Sequence, residues 1–202
     1  MSIKSLKVIV GLDEVGRGSL VGPVVACALS FQSERKNKLS NLKIKDSKRL
    51  SHQKREEIFH ILKENPSVEW GIGRVSEKVI DKINIFEATK LAMERAVKNL
   101  EKKIAEPIGS LLIDGNFGIN LPLPQKSVIK GDERVFLIKL ASIVAKVKRD
   151  GMMINYHKEY PEYHFDKHKG YGTKLHLEML KKFGPSKIHR KTFEPVRRYC
   201  KI

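Results

Sequence analysis

The sequence predicts an α/β domain with a mixed β-sheet flanked by helices and a small helical part at its C-terminal end. Three observations predict it. Two short apolar runs suited to strands, residues 7–12 and 24–29, come as an adjacent pair joined by a glycine-rich turn. Later runs of the same kind, near residues 68–75, 110–113 and 126–130, alternate with segments of helical period. From about residue 157 to 202 the texture changes to basic loops and one short amphipathic helix, a segment suited to gripping a substrate. The 202 residues suit one domain, and 41% hydrophobic content is enough for its core.

The first run leads straight into two acids, Asp13 and Glu14, then Gly16-Arg17-Gly18 and Gly22-Pro23. Acids at the tip of a buried strand are costly to keep ionised unless something positive meets them. An arginine between glycines brings backbone amides close to an anion. Taken alone, the same residues also suit an ordinary strand exit with Arg17 paired to an acid. A dinucleotide fingerprint is excluded, because the glycine spacing is one residue too long and Gly22-Pro23 opens a strand-like run.

Residues 33–45 read as a polar, basic connection. Ser51 is a fair N-cap for a helix to about Lys63, with Ile58, Ile61 and Leu62 on one face and Asn65-Pro66 ending it. Residues 68–75 alternate as a third strand. A helix is expected from Asn84, where Asn84 and Glu87 have the spacing of a capping box. Residues 110–113 form a strand ending in Asp114-Gly115-Asn116, and residues 126–130 another that runs into Gly131-Asp132. Glu133 to about Tyr156 reads as a long helix. On it Lys139, Ser142, Lys146 and Arg149 share a polar face, either solvated or turned to a partner. In the basic tail, Tyr171 stands between Gly170 and Gly172, as a stacking residue on a backbone-tracking surface or an ordinary loop tyrosine. Residues 174–183 suit a short helix stopped by Gly184-Pro185.

The net charge is +17, from 40 Lys and Arg against 23 Asp and Glu. That points to a polyanionic partner, nucleic acid ahead of an anionic membrane surface. No apolar run approaches the ~20 residues of a membrane span, and no signal-like stretch precedes Asp13. Cys27 and Cys200 make no disulfide framework, so a reducing cytoplasm is expected.

Three strand-like segments thus end in acids: Asp13-Glu14, Asp114 and Asp132. If they are neighbours in one sheet, their carboxylates converge and raise one another's pKa values. A hard cation removes that penalty, and all-oxygen ligands suit Mg²⁺ or Mn²⁺. Two such ions can clamp the attacking and leaving oxygens of a phosphodiester displacement. Consecutive strand residues point to opposite faces, so Asp13 and Glu14 share a site only where the strand ends or bulges between them. Ser47 and Ser142 lie in no nucleophile motif, the histidines are scattered, and neither cysteine has an activating setting.

The stretches GLDEVGRGSLVGPVV, DSKRLS, NIFEATKLAM, LLIDGN, KGD, ASIVAKVKRD and KHKGYGTKLHLEMLKKFGPSKIHR, in this order and spanning about residues 8–196, resemble ribonuclease HII, the type 2 ribonuclease H family. Val15 and Ser19 depart from the family's more usual Ala and Pro. The resemblance implies a ribonuclease H-like fold, and a monomer is expected. It implies an endonuclease that cuts the RNA strand of RNA–DNA hybrids and nicks duplex DNA on the 5′ side of embedded ribonucleotides. The expected ends are 3′-hydroxyl and 5′-phosphate, and genome maintenance is the expected setting. By motif, Asp13, Glu14, Asp114 and Asp132 are implied as the metal-binding carboxylates, with Asp150 a nearby acid that competes with Asp132. Gly16, Arg17 and Gly18 are implied to sense the ribose 2′-hydroxyl and adjoining phosphate, Tyr171 to stack near the RNA–DNA junction, and Lys48, Ser142 and Lys146 to contact the backbone. The dozen or so residues before Asp13 are too few for the extra N-terminal domain of the related type HIII. The rival readings are a binding protein of the same fold without catalysis, and a nuclease for branched DNA.

Overall fold

The computed structural model describes residues 7–31 and 50–200. Its sheet contains β1 (Val8–Val15), β2 (Val24–Phe31), β3 (Val68–Val75), β4 (Ile108–Asp114) and β5 (Gln125–Val128). They lie in the order β3-β2-β1-β4-β5. β1, β2 and β3 pair antiparallel, whereas β4 joins β1 and β5 joins β4 in parallel. The mixed sheet of the sequence reading is therefore present, with the first strand at its centre.

β2 reads VVACALSF because both faces of this inner strand are covered. Val24, Ala26 and Ala28 pack with Val10 and Leu12 of β1 against α2 (Glu77–Glu101), through Ala88, Ala92, Ala96 and Leu100. Cys27 and Leu29 face the other way. They meet α1 (His52–Glu64) through Ile58 and Leu62, and α4 (Phe136–Glu159) through Leu140, Ile143 and Val144. Burying one such aliphatic side chain is worth about 1.5–3 kcal/mol, so these two layers hold the sheet. Gly11 is where α4 comes closest to β1. A Cβ there would lie 2.5 Å from the Leu137 carbonyl carbon, so a side chain would push the helix away.

The helix ends follow local chemistry. Ser51 Oγ accepts the Lys54 N–H at 3.2 Å, as expected of an N-cap. The helix expected from Asn84 is longer. α2 begins at Glu77, and Asn84 (φ 64°) is a kink inside it. Asn84 Oδ1 still accepts the Phe86 and Glu87 N–H groups, at 2.9 and 3.1 Å, so it caps the second half of a broken helix. The long helix expected from Glu133 is also split. A single turn, α3 (Gly131–Arg134), ends at the extended Val135, and α4 starts after it.

The C-terminal part holds α5 (Phe165–His168) and α6 (Lys174–Phe183) and packs back on the turn between β1 and β2. Single bridges join Ser19 to Tyr171 and Val21 to His189. Val21, Met153, Tyr163, Phe165 and Ile188 close a small core of their own beneath it. Among the described residues no helix is long and apolar enough to cross a membrane.

Candidate active site

β1 extends through Val15, so Asp13 and Glu14 lie within its last turns of pleat, not beyond its end. Both remain paired with β2, opposite Cys27 and Ala26. The other edge of β1 differs. Its parallel pairing with β4 stops at Leu12 and Ile113, and Asp114 is the next residue on β4. Past that point the two strands no longer close the sheet between them. A cleft of about 370 Å³ opens there, lined by Asp13, Glu14, Gly16, Arg17, Gly18, Arg55, Asp114, Ser142, Lys146 and Tyr171 among others. Two consecutive strand residues reach one cleft because it sits at the open end of the sheet, where side chains from either face can border the same space.

The electrostatics of the cleft are those of crowded acids. Asp13 is 3% exposed. Burial, then Glu14, then Asp114 raise its pKa well above the usual carboxylate range, against a hydrogen bond with Ser142 and the Glu14 N–H donated to Oδ1 at 2.7 Å. Burial also raises Glu14. Arg17, whose Nη1 donates to Glu14 Oε1 at 3.3 Å, lowers it, and Asp114 raises it again. Asp114 Oδ1 accepts the Gly131 N–H at 2.7 Å, which ties β4 to the start of α3.

The site residues expected from the sequence divide as follows. Asp13, Glu14, Gly16, Arg17, Gly18, Asp114, Ser142, Lys146 and Tyr171 border one cleft. Asp132 does not line it. It is fully buried in α3, the residue after the Gly131 whose N–H bonds Asp114, and not at the tip of a strand. Asp150 is held by Lys146, Nζ to Oδ1 2.8 Å. Lys48 lies outside the described residues. The polar stripe on α4 is not a solvated face. Lys139 and Arg149 are buried, Ser142 meets Asp13, and Lys146 lies 5.7 Å from the centre of the Tyr171 ring.

Four further groups were not singled out. Arg55 of α1 borders the cleft. The histidines His168, His176 and His189 form one buried cluster under Tyr171. His189 Nδ1 accepts the Ser186 N–H at 2.9 Å, so its other nitrogen carries the proton toward His176 Nε2, 3.2 Å away. His176 Nδ1 then donates to the Tyr171 carbonyl at 2.9 Å. Burial holds His176 down at about 4 and His189 at about 3, so the chain of bonds is neutral near pH 7. In sequence these histidines are 8 and 13 residues apart, a spacing with no metal-site or catalytic signature, and only the fold shows that they cluster.

The donors suit a hard divalent cation. All are carboxylate oxygens, the buried Glu14 Oε2 has no hydrogen-bond partner among the described residues, and burial and the neighbouring acids raise the pKa values of Asp13 and Glu14, a cost that a cation would offset. Among the described residues no three His, Cys, Asp or Glu side chains are drawn together tightly enough to hold an ion as they stand.

The sequence profile of ribonuclease HII matches residues 10–196. The chain belongs to the ribonuclease HII family. It is 47% identical over 199 residues to the ribonuclease HII of Bacillus velezensis, covering 98% of this chain and 74% of that protein. Members of this family are endoribonucleases of the ribonuclease H type, and the cleft lies at the carboxyl ends of the parallel strands β1 and β4, where ligands gather in open sheets. The fold agrees with that of ribonuclease H2 from Pyrococcus horikoshii OT3, with a TM-score of 0.74 at 24% identity over 95% of this chain and 96% of that one. It also agrees with Bst-RNase HIII, solved in complex with Mn²⁺, with a TM-score of 0.75 at 17% identity over 96% of this chain and 69% of that one.

Proposed function

We propose that this protein is a metal-dependent endonuclease for RNA–DNA hybrids and for duplex DNA carrying single ribonucleotides. It cuts on the 5′ side of the ribonucleotide and leaves 3′-hydroxyl and 5′-phosphate ends. The observation that carries the reading is one cleft where Asp13, Glu14 and Asp114 border Gly16-Arg17-Gly18. That is an acidic site beside a backbone turn able to touch a ribose.

Asp13, Glu14 and Asp114 would hold Mg²⁺ or Mn²⁺, with two ions during the reaction. Asp132 would be the fourth carboxylate, supported by its place next to the Gly131 that bonds Asp114. Such ions supply a water nucleophile at neutral pH and charge stabilisation for the leaving 3′ oxygen. The chain's own groups do the rest. The backbone of Gly16, Arg17 and Gly18 reads a 2′-hydroxyl, which separates RNA from DNA at one position. Tyr171 offers a ring for stacking, and Ser142 and Lys146 border the strand to be cut, with Lys48 as a further backbone contact. The basic segment after residue 157 grips the flanking duplex, consistent with the net charge of +17.

The test is cutting of a DNA duplex containing one ribonucleotide, in Mg²⁺, in Mn²⁺ and in chelator. A nick at that ribonucleotide in either metal, absent in chelator, is expected. Binding without cutting at any metal concentration would leave a hybrid-binding protein, and cutting of branched all-DNA substrates alone would leave a nuclease of another kind.

A further inference from the structure

Arg190 lies in the basic stretch after α6, far from the carboxylates in sequence, yet it is fully buried. Its guanidinium is spent on backbone oxygens of the turn after β1. Nη2 donates to the Gly16 carbonyl at 2.7 Å, Nη1 to the Arg17 carbonyl at 2.8 Å and Nε to the Gly22 carbonyl at 3.0 Å. Arg149 holds the far side of the turn in the same manner, with Nη2 on the Val21 carbonyl at 3.2 Å and Nε on that of Pro23 at 3.1 Å. Among the described residues neither guanidinium makes a contact ion pair, and Asp150 near Arg149 and Asp81 and Glu77 near Arg190 act only at longer range. Burial and the neighbouring Arg149 push Arg190 down to about 9, which leaves it a cation at neutral pH.

The consequence follows from peptide geometry. A peptide unit is planar and trans, so its N–H points opposite to its C=O. The two units whose carbonyls face Arg190 at Gly16 and Arg17 carry the N–H groups of Arg17 and Gly18. Those N–H groups point away from the buried guanidinium, in a turn that borders the cleft. No described residue accepts a hydrogen bond from either of them. A charge-assisted bond to the carbonyl also polarises the amide and makes its N–H a stronger donor.

We propose that Arg190 is a positioning residue that aims and polarises two peptide units, making the Arg17 and Gly18 N–H groups a paired donor site for one oxygen of the ribonucleotide. That oxygen belongs to the 2′-hydroxyl or to the adjoining phosphate. The proposal rests on the reading that this turn contacts the ribonucleotide. It assigns to a residue of the C-terminal segment the shape of a turn 174 residues earlier.

Two measurements test it. The first is the Arg190→Lys variant, which keeps a cation but cannot fork onto three carbonyls. Its kcat on a single-ribonucleotide duplex is expected to fall roughly 10–100-fold, the scale of a misplaced contact, while KM moves less than about threefold. A wild-type kcat in that variant would overturn the proposal. The second needs no variant: amide resonances of ¹⁵N-labelled wild-type protein are followed in chelator as duplex is added. Arg17 and Gly18 amide protons moving downfield with the ribonucleotide duplex only assign the donors to the 2′-oxygen. The same movement with all-DNA duplex assigns them to phosphate. No movement with either duplex overturns the proposal, and decides the matter should Arg190→Lys fail to fold. Wild-type protein that cuts nothing would sink the proposed function instead, and the amide titration would still read the donor pair.

Discussion

Replacing Asp13 by Asn should make the metal-free protein more stable while removing its response to metal. Asp13 is 3% exposed, and its ionised form is opposed by burial, by Glu14 and by Asp114. Arg17 reaches Glu14, not Asp13, at 3.3 Å with its own side chain 44% exposed, so it offsets little of the cost at Asp13. Asn keeps the shape, and its Oδ1 can still accept the Glu14 N–H now bonded at 2.7 Å. Its amide faces Ser142, whose hydroxyl can turn to accept. Exchange of a buried uncompensated charge for a neutral isostere typically stabilises by about 1–2 kcal/mol. At about 2–4 °C per kcal/mol for a chain of this size, Tm in chelator should rise by about 2–8 °C. In Mn²⁺ the wild type should gain stability, by about 2.7 kcal/mol at 100 times Kd, and the variant far less. Thermal unfolding by circular dichroism, each protein with and without Mn²⁺, reads both effects. A variant that melts below wild type in chelator, or that gains as much from Mn²⁺, would refute the reasoning.

The other expectations concern the same cleft and its supports. Asp114→Asn should abolish cutting yet bind a single-ribonucleotide duplex within about twofold of wild type, since phosphate contacts carry most of the affinity; a gel-shift assay beside a cleavage assay checks it. Gly16→Ala should destabilise by at least about 2 kcal/mol, because its Cβ would lie 2.1 Å from Arg149 Nε at a φ of +91°. Gly18→Ala meets nothing within 4 Å and should leave Tm nearly unchanged while slowing cleavage. His176 and His189, held at about 4 and about 3, stay neutral in the folded protein while the unfolded chain takes up protons below about 6.5. Their contribution is full above that pH and is lost as pH falls, by about 2 kcal/mol for the pair between pH 6 and 5. His189→Gln should flatten this part of the pH–Tm curve, and an unchanged slope would show that the cluster does not titrate as described.

What was legible in the sequence was what repeats locally. The alternation of residues 68–75, the Ser51 cap and the apolar run of β2 each contain their own explanation, and each is found where expected. That Asp13, Glu14 and Asp114 share a cleft was legible for a related reason: an acid at the end of an apolar strand is a local anomaly. Asp132 was read as a strand-end acid, but β5 stops at Val128 and Asp132 belongs to the turn of α3, because Lys130 adopts a left-handed conformation that starts it. Asn84 shows a different limit. Its capping chemistry was read correctly, but a cap within a longer helix looks the same in sequence as a cap at its start. Arg149 was read on the polar stripe of its helix, but nothing local showed that it, Arg190 or the three histidines turn inward. In a chain with 40 Lys and Arg, nothing in the sequence marks which few turn inward to hold the backbone of a distant turn.

The most direct test of the central claim is the chemistry of the ends produced at a single ribonucleotide. Carboxylate-held ions acting on water predict a metal-dependent cut on the 5′ side of the ribonucleotide, with a 3′-hydroxyl on the DNA piece and a 5′-phosphate on the piece that begins with the ribonucleotide. A cut on its 3′ side ending in a 2′,3′-cyclic phosphate, made equally well in chelator, would mean that the ribose hydroxyl itself attacks, and would contradict the account.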